Sequence, residues 1–321
     1  LDVRSLCLIR ETLARYDTLA DFSFAMQGLG SGAISLYGNP EQKQNILEEV
    51  SAGRVIAGFA LSEPDAGSDV AAMNTKAFST TDGWKVNGEK SWISNGGIAD
   101  YYTLFAKTSD QPGSGGISAF LLDADNPGLS IAERQEVMAP HPLARLQLKD
   151  AELSRQALLG EEGKGFGIAM ATLNIFRPTV GAASLGFARR ALDEILHYSG
   201  ERKMYGHTMQ NMPVVRSHLG EMDLEIDASA LLVYRAAWVH DKNQGRVTRE
   251  ASMAKLYATE KAQQVIDTAV QLFGARGVEK GNPVESLYRE IRALRIYEGA
   301  SEVHQQILGD QAIRSYNEIP K

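Results

Sequence analysis

A chain of 321 residues, 44% hydrophobic and 23% charged, is long enough for two or three packed domains and holds no apolar run of membrane-spanning length. A formal net charge of −7 without a basic stripe argues against a nucleic-acid partner. The single cysteine, Cys7, excludes an internal disulfide and fits a reducing compartment.

Residues 1–54 read as helix. "LCLIRETLARY" repeats apolar residues at three- and four-residue spacing, and Asn39-Pro40 marks a helix start. The chain opens at Leu1 with neither methionine nor a signal-like segment, so this helical domain is expected to be incomplete. Within it, "GLGSGA" (28–33) imitates a dinucleotide fingerprint. That motif needs a strand before it, and helical texture precedes it here, so a small-residue helix contact or a helix break is expected.

From 55 to 158 the texture changes to short strand-like runs: "VIAGFALS", "TKAFSTT", "GWKVNG", "EKSWIS", "YYTLFAK", "GISAFLLDA" and "LARLQLKDAEL". Asp82-Gly83 and Asn87-Gly88 sit between runs as hairpin signals, so an antiparallel barrel or sandwich is expected. From 159 to 321 the helical period returns, with long segments near 165–200, 213–242, 248–274 and 300–315. Strands in one block and helices in two others predict an α+β chain rather than alternating βαβ units.

Chemistry concentrates in a few stretches. "ALSEPDAGSD" (60–69) ends a strand in a turn whose Ser62, Ser68 and free N–H groups around Gly67 can hold an anion or a polar ring; a plain surface loop is the alternative. Trp92 beside Ser94 reads either as core or as a face for an aromatic cofactor. Arg177 lies among Ile175, Phe176 and Val180, where a cation is costly unless paired. In "GERKMYG", Arg202 reads as a phosphate contact or a solvated helix end. In "RIYEGASEV", local physics alone reads Glu298 as a carboxylate settling on a helix N-terminus.

Taken together, "LSEPDAGSD", "VNGEKSWISNGG", "ERKMYG", "MAKLYATEKAQQVIDTAVQLFGARGV" and "PVESLYREIRALRIYEGASEV" closely resemble the acyl-CoA dehydrogenase family over essentially the whole chain. The resemblance implies an N-terminal helical domain, a middle β domain and a C-terminal four-helix bundle, with FAD as cofactor and no metal. It places Phe59, Leu61, Ser62, Gly67 and Ser68 along the flavin, with Trp92, Ile93 and Ser94 against its ring. Arg202 and Gln271, Leu272, Phe273, Gly274 and Ala275 fall where the family holds the diphosphate and adenine across a subunit interface, and Ala300, Ser301 and Glu302 where it binds FAD after the base.

Glu298 matches the catalytic base in "IYEG". Some members carry the base directly before the bundle arginine, where this chain has Phe176, which cannot act. Ser68, Asn174, Arg177, Tyr297 and Gly299 then border the acyl thioester. The implied reaction is FAD-dependent α,β-dehydrogenation of an acyl-CoA to the trans-2-enoyl thioester, with an electron-transfer flavoprotein as acceptor, a homotetrameric assembly, and bacterial cytoplasm or mitochondrial matrix as location. Asn174, Gln305 and Asp310 replace an aspartate and two arginines common in the family, Pro213 replaces a glutamine, and the stretch before the β domain is short. The positive charge lost at Gln305 and Asp310 leaves room for an acyl group on a carrier protein, and the short stretch implies missing N-terminal helices or an open substrate pocket; a flavin oxidase or monooxygenase on the same fold is the other alternative.

Overall fold

The computed structural model describes residues 2–243 and 247–318. They pack as two units, Leu1–Asp21 with Asn174–Lys321, and Phe22–Leu173. The first unit is helical; the second is built around a sheet.

Three helices open the chain: α1 (Val3–Tyr16), α2 (Thr18–Tyr37) and α3 (Pro40–Ser51). α3 starts as its sequence predicts. The Gln42 N–H donates to Asn39 Oδ1 at 2.8 Å, the Asn39 N–H donates to Gln42 Oε1 at 3.0 Å, and Pro40 fills the first turn. The Gly-rich stretch 28–33 lies inside α2, so it is a helix contact and not a helix break. A Cβ at Gly30 would sit 2.6 Å from that of Ala57, and the Thr103 hydroxyl donates to the Gly30 carbonyl at 2.9 Å. The missing side chain lets α2 press directly on the sheet.

That sheet contains β1 (Ala57–Ala60), β2 (Lys76–Ser79), β3 (Gly83–Ser94), β4 (Tyr101–Lys107), β5 (Ile117–Asp123), β6 (Leu129–Gln135), β7 (Leu143–Ser154) and β8 (Leu158–Leu159). Its order is β6-β7-β3-β2-β4-β5-β8, with β1 beside β4. The expected antiparallel arrangement is mixed at one place: β1 and β2 both run parallel to β4. Alternation along the strands sends Val86, Ile93, Leu104, Phe120, Leu146 and Leu148 into one apolar core.

Asn87-Gly88 is not a hairpin turn; it lies within the continuous strand β3. Val86 pairs with Ala151 and Gly88 with Leu148, so the ladder skips a step there as a bulge. Asn87 and Asp150 tie the irregularity together through two hydrogen bonds, of 3.1 and 2.8 Å. Gly88 has φ 153° and a Cβ would meet Thr75, so glycine serves close packing at this point rather than chain reversal. Asp82-Gly83 does join β2 to β3.

Under the loop that follows β1 lies a buried ion pair. Lys90 Nζ donates to Glu63 Oε1 at 2.9 Å and to the Leu61 carbonyl at 3.1 Å, and both side chains are almost fully buried. Glu63 also accepts the Asn74 and Thr75 N–H groups, so one carboxylate straps two loop segments to β3. Burial pushes Lys90 down to about 8 against the pull of Glu63. For Glu63, burial pushes upward, but Lys90 and the two backbone donors hold it below the ordinary carboxylate range.

The helical unit contains α4 (Gly165–Glu201) from Asn174 onward, α5 (Pro213–Asn243), α6 (Thr248–Phe273), α7 (Pro283–Leu294) and α8 (Ser301–Asn317). Four of these match the four long segments read from the sequence. α7 does not, although Asn282-Pro283 starts it as Asn39-Pro40 starts α3. Val180, Phe187, Ile195, Ile226, Ile266 and Ile291 form the shared core. α1 joins it through Glu11, which accepts from Arg189 Nε at 2.7 Å and from the Tyr234 hydroxyl. Cys7 is buried on α1 and its thiol is pushed up to about 12, which fits an inert structural thiol.

Lys90→Met leaves the Glu63 charge buried without its cation and is expected to cost about 3–5 kcal/mol in urea unfolding. The double variant Lys90→Met/Glu63→Leu is expected to recover only part of that, because the Asn74 and Thr75 N–H groups then lose their acceptor.

Candidate active site

α7 ends at Leu294 and α8 begins at Ser301, and Glu298 lies in the six residues between them. Its φ is +54°, a left-handed conformation costly for a residue with a Cβ, and Gly299 follows at +106°. Two side chains hold the strained pair. Arg177 Nε donates to the Glu298 carbonyl at 3.0 Å, and Lys255 Nζ donates to the Gly299 carbonyl at 2.6 Å. Arg177 is braced by Asn174, which accepts from it at 3.4 Å and donates to Thr248 at 3.3 Å.

Glu298 is half-buried, and its Oε2 has no exposure and accepts no hydrogen bond. Burial drives its proton affinity up, and the positive charges of Arg10, Arg177 and Lys255 oppose that without cancelling it. Arg10 is shared with Asp21 through two bonds of 2.9 and 2.8 Å and also reaches Thr179, so its charge is largely compensated. Tyr297, next to the carboxylate, stays a neutral phenol because burial raises its pKa. Phe176 is buried and brings no ionisable group.

On α8, His304 is fully buried against this turn. Its ring nitrogens lie beside the Glu298 and Gly299 backbone without a hydrogen bond of good geometry. Burial, with Lys255 and Arg177 nearby, pushes it down to about 3, so it is neutral. The sequence reading missed both Lys255 and His304. An amphipathic helix gives no signal that separates a buried cation from its exposed neighbours, whereas a histidine three residues into an apolar helix face was open to question.

Ala300 stands at the helix start and Ser301 donates to Glu260, which is paired with Arg295 at 2.7 Å. Glu302 is exposed in the first turn. At the opposite end of α6, Phe273 stacks on Tyr198 of α4 with centroids 4.4 Å apart. This brings the last turn of α4 against the end of α6, and Arg202, directly after α4, donates its N–H to the Tyr198 carbonyl at 2.9 Å. Arg202, Gln271, Gly274 and Ala275 are exposed, while Phe273 belongs to the core. Lys255, at the turn, and Phe273 are eighteen residues apart on α6, about 27 Å by helix rise. The helical unit therefore carries two separate groups.

In the sheet unit, the remaining residues gather around the loop after β1 and the end of β3. Phe59 is half-buried with its ring 5.0 Å from Phe105, and the Leu61 carbonyl is held by Lys90. The Ser62 carbonyl accepts the Ser91 N–H at 2.9 Å. Gly67 and Ser68 are exposed, and Gly67 has open space where a Cβ would be. The ladder to β7 shifts again between Lys90 and Ile93, and Trp92 there takes φ +60°. Its N–H donates to Gln135 Oε1 at 2.9 Å, and 56% of the residue is exposed. The bulge thus presents an indole face outward, while the Ile93 side chain goes into the core and leaves only backbone on that face. Ser94 is half-buried beside it.

Models of the acyl-CoA dehydrogenase middle domain and C-terminal domain match residues 58–151 and 163–313. A probable acyl-CoA dehydrogenase of Mycobacterium tuberculosis is 34% identical over 310 residues, which is 96% of this chain and 80% of that protein. The chain belongs to the acyl-CoA dehydrogenase family. Butyryl-CoA dehydrogenase from Megasphaera elsdenii superposes with a TM-score of 0.94 at 34% identity, over 98% of this chain and 82% of that one. The FAD complex of PigA does so at 0.93 and 27%, over 97% and 82%.

Acyl-CoA dehydrogenases are FAD-dependent oxidoreductases, and FAD is the cofactor here. The sheet unit suits it: an outward indole face, a loop of hydroxyls and glycine with open space, and backbone groups fixed by Lys90 and Ser91 fit a flat conjugated ring with polar edges. Among the described residues, no cluster of His, Cys, Asp and Glu suits a metal, and no helix is long and apolar enough to cross a membrane.

A Cβ at Gly299 would sit 2.8 Å from His304 Nε2 at a φ unsuited to side chains. Gly299→Ala is expected to cost about 1–3 kcal/mol in thermal unfolding. In a double-mutant cycle with His304→Ala the two costs should fall short of additive, since the second change removes the clash.

Proposed function

We propose that this acyl-CoA dehydrogenase family member oxidises an acyl-CoA between its α and β carbons, with Glu298 as the base. The observation that carries the reading is a half-buried carboxylate whose Oε2 is shielded from water and lacks a partner, held in a strained turn. A carboxylate so placed gains a proton more readily than an ordinary glutamate, which suits it to take one from the weakly acidic carbon beside a thioester carbonyl. FAD, when bound, supplies the acceptor for the hydride that leaves the β carbon, and the product is the trans-2-enoyl thioester.

The proton from the α carbon ends on the Glu298 carboxyl. Substrate entry strips away remaining water and raises its proton affinity further. The Glu298 backbone N–H is a donor for the thioester oxygen as negative charge develops there. Asn174 and Arg177 fix the carbonyl side of the turn, and Tyr297 and Gly299 border the thioester. The α8 positions Gln305 and Asp310 are exposed and bring no cation for a CoA phosphate. That observation favours a second reading, in which the same chemistry acts on a thioester carried by a protein-bound arm.

Electrons then pass to an electron-transfer flavoprotein, the acceptor implied by the resemblance. A homotetramer is the proposed assembly, supported by two features. The two groups along α6 lie too far apart to meet one flavin easily, and α5 leaves Leu224, Leu231 and Trp238, seven residues apart, between 51% and 69% exposed. Light scattering should give the mass of four chains.

Anaerobic titration of flavin absorbance with a panel of acyl-CoA and acyl-carrier thioesters tests the reading. Glu298→Gln is expected to retain ligand binding and slow flavin reduction at least about 100-fold. Because only the ionised carboxyl can accept a proton and burial raises its pKa, reduction should increase with pH through an inflection above the ordinary glutamate range. Fast reduction by Glu298→Gln would remove Glu298 from the reaction.

A further inference from the structure

We propose that Lys255 is a positioning residue for the base: its ammonium clamps the Gly299 carbonyl and so keeps Glu298 in the left-handed turn that aims its carboxyl. The inference rests on the reading of Glu298 given above.

Lys255 is completely buried on α6, a costly place for a cation. Its one hydrogen bond to the turn, 2.6 Å to the Gly299 carbonyl, is short and charge-assisted. Its carbonyl partner belongs to the residue directly after the base, and both residues have positive φ. Arg177 holds the preceding carbonyl from α4, so two consecutive carbonyls are each gripped by a cation from a different helix. His304, on α8, closes the third side with a neutral ring against Gly299. A charged side chain in that place would add a further positive charge beside Glu298 and depress its basicity.

The charged groups acting on Lys255 are Glu298 and Glu260, which favour its charge, and Arg177 and Arg295, which oppose it. Those acting on Glu298 are Arg10 from α1, Arg177 from α4 and Lys255 itself. Burial brings Lys255 down to about 8, so the clamp is charged at neutral pH and discharges in mild alkali. Two pH effects follow. Loss of the Lys255 charge raises the proton affinity of Glu298, and it releases the turn.

The test uses FAD-loaded protein and hydrogen–deuterium exchange of the segment 296–304, alongside the pH profile of anaerobic flavin reduction. Lys255→Met should speed exchange in that segment at least 10-fold, slow reduction at least 10-fold and move the acidic inflection to higher pH. Lys255→Arg should restore most of each. Wild-type protein gives a variant-free check: exchange of 296–304, corrected for its intrinsic pH dependence, should quicken between pH 7 and 9.5. Unchanged exchange in Lys255→Met, or equal loss in Met and Arg variants with exchange spread along α6, overturns the clamp; so does a flat wild-type profile. Glu298→Gln separates the two ideas. If it still reduces flavin, the assignment of the base fails, while the exchange data continue to decide the clamp.

Discussion

Removing a carboxylate from water is expensive, and the turn at Glu298 is organised around that expense. Desolvation alone pushes the carboxyl toward its protonated form. Arg10, Arg177 and Lys255 bring positive charge to it from three different helices, yet none donates a hydrogen bond to Oε2. The cations spend their hydrogen bonds elsewhere: Arg10 on Asp21 and Thr179, Arg177 and Lys255 on backbone carbonyls. Their field reaches the carboxyl while its lone pairs stay available. A direct salt bridge would have stabilised the ion and removed its basicity. The packing of α1, α4, α6 and α8 in the helical unit can be understood as meeting both conditions.

Much of this was visible in the chain itself, and the failures are instructive. The Asn39-Pro40 start, the four long helices and the small-residue contact in α2 followed from capping chemistry and periodicity. Asn87-Gly88 misled because a pair suited to a hairpin also suits a bulge, and only the partner strand, through Asp150, distinguishes them. β6 went unread because almost all of it is solvated, and its apolar alternation stops after Leu129 and Ile131. α7 is short and was hidden between stronger signals.

The candidate site was suggested by motif more than by physics. Nothing local to Glu298 distinguishes a base from a helix-start carboxylate, because what isolates it comes from α1, α4 and α6. Trp92 is a sharper case. A tryptophan within a strand is core by default, and the left-handed backbone at the second bulge is what turns it outward. Ile93, its neighbour, obeys the default. The single step of register that separates them decides which of the two can touch a ligand.

The strap between Lys90 and Glu63 has a consequence for how a ligand is met. Loops that bind cofactors commonly lose conformational freedom on binding, and that loss is subtracted from affinity. Here the Leu61 and Ser62 carbonyls are already fixed to β3 by Lys90 and Ser91, and the Glu63 carboxylate that pairs with Lys90 also anchors Asn74 and Thr75. The ordering entropy of this segment is therefore settled during folding. A ring placed there, as the family resemblance implies, would find a preorganised edge, and its contacts would translate into affinity with little deduction.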